Sequence, residues 1–266
     1  MSTARRISSR DNPLVRQLAD LAHSARERRR VGRTFLEGIH LCEAFLLRHG
    51  APQAAVATDS ALAVPQVADL LARHRVEPTV LSEDLFRLLS TVQQGVGLAF
   101  VVETPRPALP AVLDTDAVFL DRVQDPGNVG TILRTCAAAG IGIVLTSPGT
   151  AFCWSPKVLR AGMGAHFHLV IHETVPWPTL HERLRVPAAG TRVAGARSVF
   201  EADLRAPMLW VLGNEGEGLS PELARDVDLW LGIPQQPQVE SLNVAAAAAV
   251  CLFEQRRQRG ARGNAR

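Results

Sequence analysis

Asp125-Pro126-Gly127-Asn128-Val129-Gly130-Thr131-Ile132-Leu133-Arg134 follows closely on an apolar run, Ala117 to Leu120. The run predicts a strand. Pro-Gly turns the chain, and Val129 to Ala139 predicts a helix with Asn128 as its N-cap. Val129, Ile132, Leu133, Cys136 and Ala137 would form the buried stripe, leaving Gly130, Thr131, Arg134 and Ala138 on another face. An arginine among small residues leaves room for a phosphate or another polar ligand; a solvent-facing position suits it equally.

The same alternation continues downstream. Strands are expected at Gly142 to Thr146, Arg192 to Ala196, Met208 to Leu212 and Leu229 to Ile233. Helices are expected at Pro156 to Met163 and Val244 to Arg257. Apolar strands alternating with helices imply a parallel sheet covered on both faces. Ligands of such sheets collect beyond the carboxyl ends of the strands.

Two more loops fall at such ends. Leu212-Gly213-Asn214-Glu215-Gly216-Glu217-Gly218-Leu219-Ser220-Pro221 has three glycines, which permit close backbone approach, then Ser220 as a cap before Pro221. It is not a phosphate loop of the Walker type, because Leu219 stands where Lys is required. The dinucleotide fingerprint is absent as well, which argues against a nucleotide-dependent oxidoreductase or ATPase. Ile233-Pro234-Gln235-Gln236-Pro237-Gln238-Val239-Glu240-Ser241-Leu242-Asn243-Val244 is stiffened by two prolines. Ser241 and Asn243 can cap the last helix, and Ala245 to Ala249 let a neighbour pack closely.

The first half reads as a smaller α/β domain. A helix is expected from Asn12 to Arg30, with Pro13 at its first position and Leu14, Leu18, Leu21 and Ala22 as its stripe. Short strands (34–37, 54–58, 79–81) alternate with helices (39–48, 64–74, 83–89), and an apolar run, Leu98 to Val102, closes the half. Pro105, Pro107 and Pro110 then mark a linker. The division expected is 1–103, a linker at 104–115, a second domain at 116–260 and a basic tail at 261–266. That suits 266 residues at roughly 150 per domain.

Composition narrows the function. Apolar residues make up 47% and charged residues 21%, which excludes a disordered chain. No apolar stretch approaches the ~20 residues that span a bilayer, and Met1 to Arg10 has no apolar core of a secretory signal. Cys42, Cys136, Cys153 and Cys251 form no CxxC pair, so neither a disulfide framework nor a zinc ribbon is indicated, and a reduced cytoplasmic setting fits. Residues 1–33 carry a net charge of +6 and residues 254–266 carry +4, leaving −7 between them. Basic ends of this kind suit an anionic partner, and arginine forks suit phosphate; a GC-rich genome with frayed basic termini gives the same pattern. His166, His168 and His172 would share one face of a strand, which fits polar alternation on a half-buried strand better than a metal site. Trp154, Trp177, Trp210 and Trp230 read as core or interface.

In order, the stretches Asn128 to Gly140, Leu212 to Ser220 and Ile233 to Ala245 resemble the motifs of the SpoU-type RNA ribose methyltransferases of the knotted SPOUT superfamily, over roughly 116–258. Phe35-Leu36-Glu37-Gly38-Ile39-His40 and Gln94-Gly95-Val96 are similar to the substrate-binding domain often joined to that catalytic domain, which has a ribosomal-protein-like α/β fold. Lys157 and Arg160 resemble a basic helix of the family, and fit an ordinary surface helix as well.

The resemblance implies a deep trefoil knot near the C-terminus, S-adenosylmethionine as cofactor and a homodimer. Family cofactor positions map onto Thr146, Leu212, Gly213, Ile233, Leu242 and Asn243. Catalytic positions map onto Asn128, Arg134, Glu215, Ser241 and Asn243. Ala245 departs from the serine common in the family. The implied reaction is attack of a ribose 2′-hydroxyl on the sulfonium methyl, for which no metal is needed. Ribosomal RNA is the expected substrate; transfer RNA, or a non-catalytic RNA-binding or assembly role, are the alternatives. Arg5, Arg6, Arg10, Arg28, Arg29 and Arg30 are the expected RNA contacts, and trimming residues 1–33 is expected to leave cofactor affinity intact but to weaken RNA binding, with a shallower salt dependence.

Overall fold

Asn12 and Pro13 start a helix as their chemistry requires: the Asn12 side chain accepts from the Leu14 amide at 2.9 Å. The computed structural model describes residues 5–260, so the expected tail at 261–266 lies outside the described residues. In chain order the first elements are β1 (Arg6–Ile7), α1 (Pro13–His23), α2 (Ala25–Val31), β2 (Arg33–Glu37), α3 (Ile39–His49), β3 (Ala54–Thr58), α4 (Asp59–Leu62), α5 (Pro65–Arg73), β4 (Thr79–Leu81), α6 (Glu83–Leu89) and β5 (Leu98–Glu103). Then come β6 (Ala117–Leu120), α7 (Pro126–Ala139), β7 (Ile143–Thr146), α8 (Pro156–Gly162), a 3-10 turn (Ala165–His168), β8 (Val170–His172), α9 (Trp177–His181), β9 (Ala188–Thr191), β10 (Arg197–Ser198), β11 (Leu209–Leu212), α10 (Pro221–Arg225), β12 (Leu229–Gly232) and α11 (Val244–Gly260).

The chain folds into two compact units. One is residues 5–105 with 154–167; the other is 106–153 with 168–260. A division at the linker thus separates all but one stretch, since α8 and the turn after it pack with the first unit.

The first unit has a five-stranded mixed sheet, in the order β1-β4-β3-β5-β2, with β5 antiparallel to both its neighbours. Helix α1 buries Val15, Leu18, Leu21 and Ala22 against Phe35, Val56, Leu85 and Val101. The single helix expected from Asn12 to Arg30 is two helices. Ser24 turns to an extended conformation (φ −108°) and its hydroxyl accepts from the Glu27 amide at 3.1 Å, so a good cap interrupts the helix.

One expectation needs correction here. Arg28 is not an RNA contact: it is buried, and its guanidinium donates to the carbonyls of Leu21 and Ala22 at the end of α1, at 2.6 and 3.0 Å. Much of the segment up to Arg33 is also built into the core of the first unit. Removing it takes three fully or nearly buried side chains (Val15, Leu18, Leu21) out of the core, at about 1.5–3 kcal/mol each.

The second unit has a seven-stranded sheet in the order β10-β12-β9-β11-β6-β7-β8, parallel throughout. Alternate strand residues serve its two faces. Phe119, Leu145, Leu209 and Val211 pack with Trp177 and Leu180 of α9 and Leu223 of α10. The other face holds the fully buried Trp210, whose indole N–H donates to Gln255 of α11 at 2.8 Å. Gln255 in turn donates to Asp116 at 3.1 Å, and Asp116 also takes both ends of the Arg259 guanidinium. Helix α11 packs along α7, with Ala245 and Ala248 buried. Trp154 and Trp177 are buried like Trp210, as expected; Trp230 is half-buried, under the Arg192 guanidinium at 4.5 Å.

The strand expected at Arg192 to Ala196 is instead a turn. The flanking strands are β9, whose first three residues (Ala188, Ala189, Gly190) have weak strand preference, and the two-residue β10. The histidines do not share a strand either. His166 and His168 lie in the 3-10 turn, and only His172 is on β8, buried and with its pKa pushed down by that burial. Among the described residues no helix is long and apolar enough to cross a membrane.

Trp210 and Gln255 lose one shared hydrogen bond in either variant. Trp210→Phe and Gln255→Ala are therefore each expected to cost about 1–3 kcal/mol in urea denaturation, and the double variant less than the sum. Strict additivity would show that the bond does not couple α11 to the sheet.

Candidate active site

Three loops at the carboxyl ends of β6, β11 and β12 carry the expected residues. The first begins with a pair that the motif reading passed over. Asp121 is buried, and its carboxylate accepts from the Ser220 amide at 2.6 Å. Arg122 adopts a left-handed backbone (φ 56°), which a side-chain-bearing residue holds only when its surroundings fix it. Here they do: its amide donates to the Ser147 hydroxyl at 2.9 Å, its carbonyl accepts from the Asn214 side chain at 2.9 Å, and its guanidinium meets Glu217 at 2.6 Å. Asn214 Oδ1 accepts from the amides of Gly216 and Glu217 at 2.9 and 3.0 Å. The loop then closes on Gly213, where a Cβ would lie 2.4 Å from the Gly218 carbonyl carbon. The available signal for this layer was a charged pair, Asp121-Arg122, directly after a wholly apolar strand.

Asp125, not Asn128, caps α7: its carboxylate accepts from the Asn128 amide at 2.9 Å. The Asn128 side chain is thereby free to point elsewhere. Its Nδ2 donates to Glu215 Oε1 at 2.9 Å, and its Oδ1 accepts from Asn243 Nδ2 at 2.9 Å. Asn243 Oδ1 accepts from the amides of Ala245 and Ala246 at 2.9 and 3.2 Å, capping α11. Glu215 also accepts from the amides of Gln124 and Asp125, both at 3.2 Å. One hydrogen-bonded line thus joins the three loops through Glu215, Asn128 and Asn243. Partial burial pushes the Glu215 carboxyl up, but the Asn128 amide and three backbone N–H groups outweigh it and hold the group below the usual carboxylate range.

The other expected residues are placed apart from this line. Arg134 is exposed on α7 beside Thr131 and Ala138, with no hydrogen bond or ion pair to any described residue; Gly130, expected on that face, is buried. Ser241 is exposed and does not help to cap α11. Thr146 and Leu212 are buried at strand ends: Thr146 accepts from the amides of Thr174 and Val175, and the Leu212 carbonyl from Asp121. Ile233 lines a cavity of about 270 Å³ with Pro234, Val239, Val193, Ala196 and Ser198. Gly213 and Leu242 do not line it. The turn at 193–198 is an addition to the sequence reading, visible there only as small residues between strands. Its walls mix apolar side chains with Ser198, Gln235 and Gln236, and its volume, just under the ~300–1,000 Å³ of small-molecule sites, suits one end of a nucleoside-type cofactor, not the whole of it.

Three strand-end loops of a parallel sheet thus converge on one amide–carboxylate line. The SpoU rRNA Methylase family matches residues 116–253, and the chain belongs to this family. It is 35% identical over 264 residues to an uncharacterized tRNA/rRNA methyltransferase of Synechocystis, covering 96% of this chain and 94% of the relative. It is 32% identical to the 23S rRNA (guanosine(2553)-2′-O)-methyltransferase RlmP of Bacillus subtilis, covering 95% and 99%. Among solved structures, the SpoU methyltransferase AviRb of Streptomyces viridochromogenes in complex with AdoMet superposes with a TM-score of 0.84 at 25% identity, over 94% of this chain and 100% of that one.

Asn128→Asp sets a second carboxylate against Glu215, raising the pKa of the pair in the folded protein above its unfolded value. The variant is expected to lose about 1–3 kcal/mol at pH 8. The loss should shrink as pH falls through the raised pKa, in urea titrations at pH 8 and pH 5. Equal losses at both values would show that the two side chains do not meet.

Proposed function

We propose that this protein transfers a methyl group from S-adenosylmethionine to a ribose 2′-hydroxyl of ribosomal RNA. The observation that carries the reading is the line from Glu215 through Asn128 to Asn243, which gathers the three family motifs at the carboxyl ends of the strands. When bound, the cofactor supplies a methyl group on a cationic sulfur that leaves as a neutral thioether. The residues suited to hold it are the strand-end positions Thr146, Leu212, Gly213 and Ile233, the loop residues Leu242 and Asn243, and the turn that walls the Ile233 cavity.

The chain's own part is to bring the hydroxyl to the methyl group and ease loss of its proton. Positioning alone supplies about 7–11 kcal/mol of such a barrier. Arg134 is unengaged and exposed, which suits a group that grips an incoming phosphate and stabilises charge developing on the 2′-oxygen. A guanidinium has no acceptor lone pair and stays protonated, so it does not act as the base. Ser241 and Asn243 orient the ribose or the guanidinium, and ionised Glu215 braces the loops.

Ribosomal RNA as substrate is supported by relatives of that activity matched along nearly their whole length. The first unit would bind it as the RNA domain (1–103), joined by the linker (104–115) to the catalytic domain (116–260). Arg5 and Arg10 are exposed, as are Arg6 and Arg30 in ion pairs with Asp59 and Glu27 and the exposed Arg29. Exposed ion pairs contribute only about 0–1 kcal/mol, so phosphate can compete for those arginines. A cytoplasmic homodimer with a C-terminal trefoil knot completes the proposal. The return of the chain from β12 to pack α11 on α7 supports the knot.

Labelled cofactor with total RNA tests the activity, and no incorporation into any RNA would overturn it. Within that assay Arg134→Ala is expected to lower kcat by about 10²–10³-fold and to weaken RNA binding by one phosphate contact, lowering the salt slope by about one. Arg134→Lys should not restore kcat; near-full turnover in the lysine variant would exclude the forked-guanidinium role.

A further inference from the structure

The two motifs that the sequence set apart in the first unit, Phe35 to His40 and Gln94 to Val96, meet at one carboxylate. Glu37, the last residue of β2, accepts from the Ser90 hydroxyl at 2.5 Å through Oε1. Its Oε2 accepts from the amide and the hydroxyl of Thr91, each at 2.8 Å. Gly95 passes directly over this carboxylate: a Cβ there would lie 3.0 Å from Glu37 Oε1, so a side chain would crowd the brace. From the other side Arg160 of α8 donates to the Thr91 hydroxyl at 2.9 Å and to its carbonyl at 3.2 Å. The foot of the loop is therefore held by a carboxylate and a guanidinium at once.

Its tip is built differently. Gln93 and Gln94 are exposed, and neither side chain has a hydrogen bond to any described residue. Val96 is 39% exposed. Lys157, about one turn before Arg160 on α8, is exposed as well. An amide side chain offers a donor and an acceptor side by side, which is the pairing that a base edge presents. Sequence-specific RNA recognition is directed at unpaired bases whose edges are open to such groups. Holding the foot of the loop rigid lowers the conformational entropy that binding would otherwise have to overcome.

We propose that the loop from Thr91 to Val96 reads an unpaired nucleotide of the ribosomal RNA substrate, with Gln93 and Gln94 hydrogen-bonding its base edge and Glu37 and Arg160 acting as positioning residues. This assignment rests on the methyltransferase reading for the identity of the RNA. It differs from the basic N-terminal residues in kind, since those hold phosphate without reading sequence.

The test is direct binding of the full-length protein to unmodified 23S ribosomal RNA transcript and its fragments, across a salt series. The Gln93→Ala/Gln94→Ala variant changes only exposed side chains and should fold as the wild type does. Its Kd should rise about 10- to 100-fold with an unchanged salt slope, because no phosphate contact is lost. Lys157→Ala should instead lower the salt slope by about one. Glu37→Gln, which puts a donor where two donors already point, should raise Kd with the slope unchanged, while cofactor affinity and kcat at saturating RNA stay at wild-type values.

Double-variant binding as tight as wild type overturns the loop assignment and leaves the methyltransferase reading intact. Absence of methyl transfer by the wild type overturns that reading, and the binding comparison still decides the loop.

Discussion

Hydrogen bonds have a direction, and the site depends on it. A carboxylate only accepts and the start of a helix only donates. Between Glu215 and the first amides of α11 stand two side-chain amides, Asn128 and Asn243. With an acceptor fixed at one end and donors at the other, only one orientation of both amides satisfies every group. That line ties together segments 115 residues apart in sequence. It also explains why Glu215 is ionised despite partial burial, since it faces donors on all sides.

The line works only because its two supports are rigid. Asp125 takes over the capping of α7, and so releases Asn128 from the task that its position suggested. Asn243 is set by α11, which is locked to the sheet by the buried run from Trp210 through Gln255 to Asp116. Core packing and site geometry are thus one construction. The indole at the middle of a strand and the amide at the edge of the site are held by opposite ends of the same helix.

Much of this was legible in the residues. Wholly apolar runs such as Ala117–Leu120 and Leu209–Leu212 read as buried parallel strands because burial on both faces removes alternation. Three loops after such strands marked the site. The failures have physical causes. β9 is alanine- and glycine-rich, so its strand character comes from being paired on both sides and not from its own preference. Ser24 broke a helix that apolar spacing alone carried through. Arg28 was grouped with its neighbours by charge, although a step of one or two residues around the helix takes a buried guanidinium to exposed ones. The layer of Asp121, Arg122, Asn214 and Glu217 was hidden because loop-to-loop bonds leave no periodic trace.

The stretch 154–167 leaves the second unit after β7, packs in the first, and returns for β8. Val158 and Leu159 of its helix are buried there. Inheritance of the two units is constrained accordingly. A gene fusion or exchange at the proline-rich linker would transplant a catalytic half still carrying a helix fitted to its former companion. Recombination between relatives would therefore succeed only when two separate segments travel together, which makes this chain less modular in its ancestry than a single hinge between two beads would suggest.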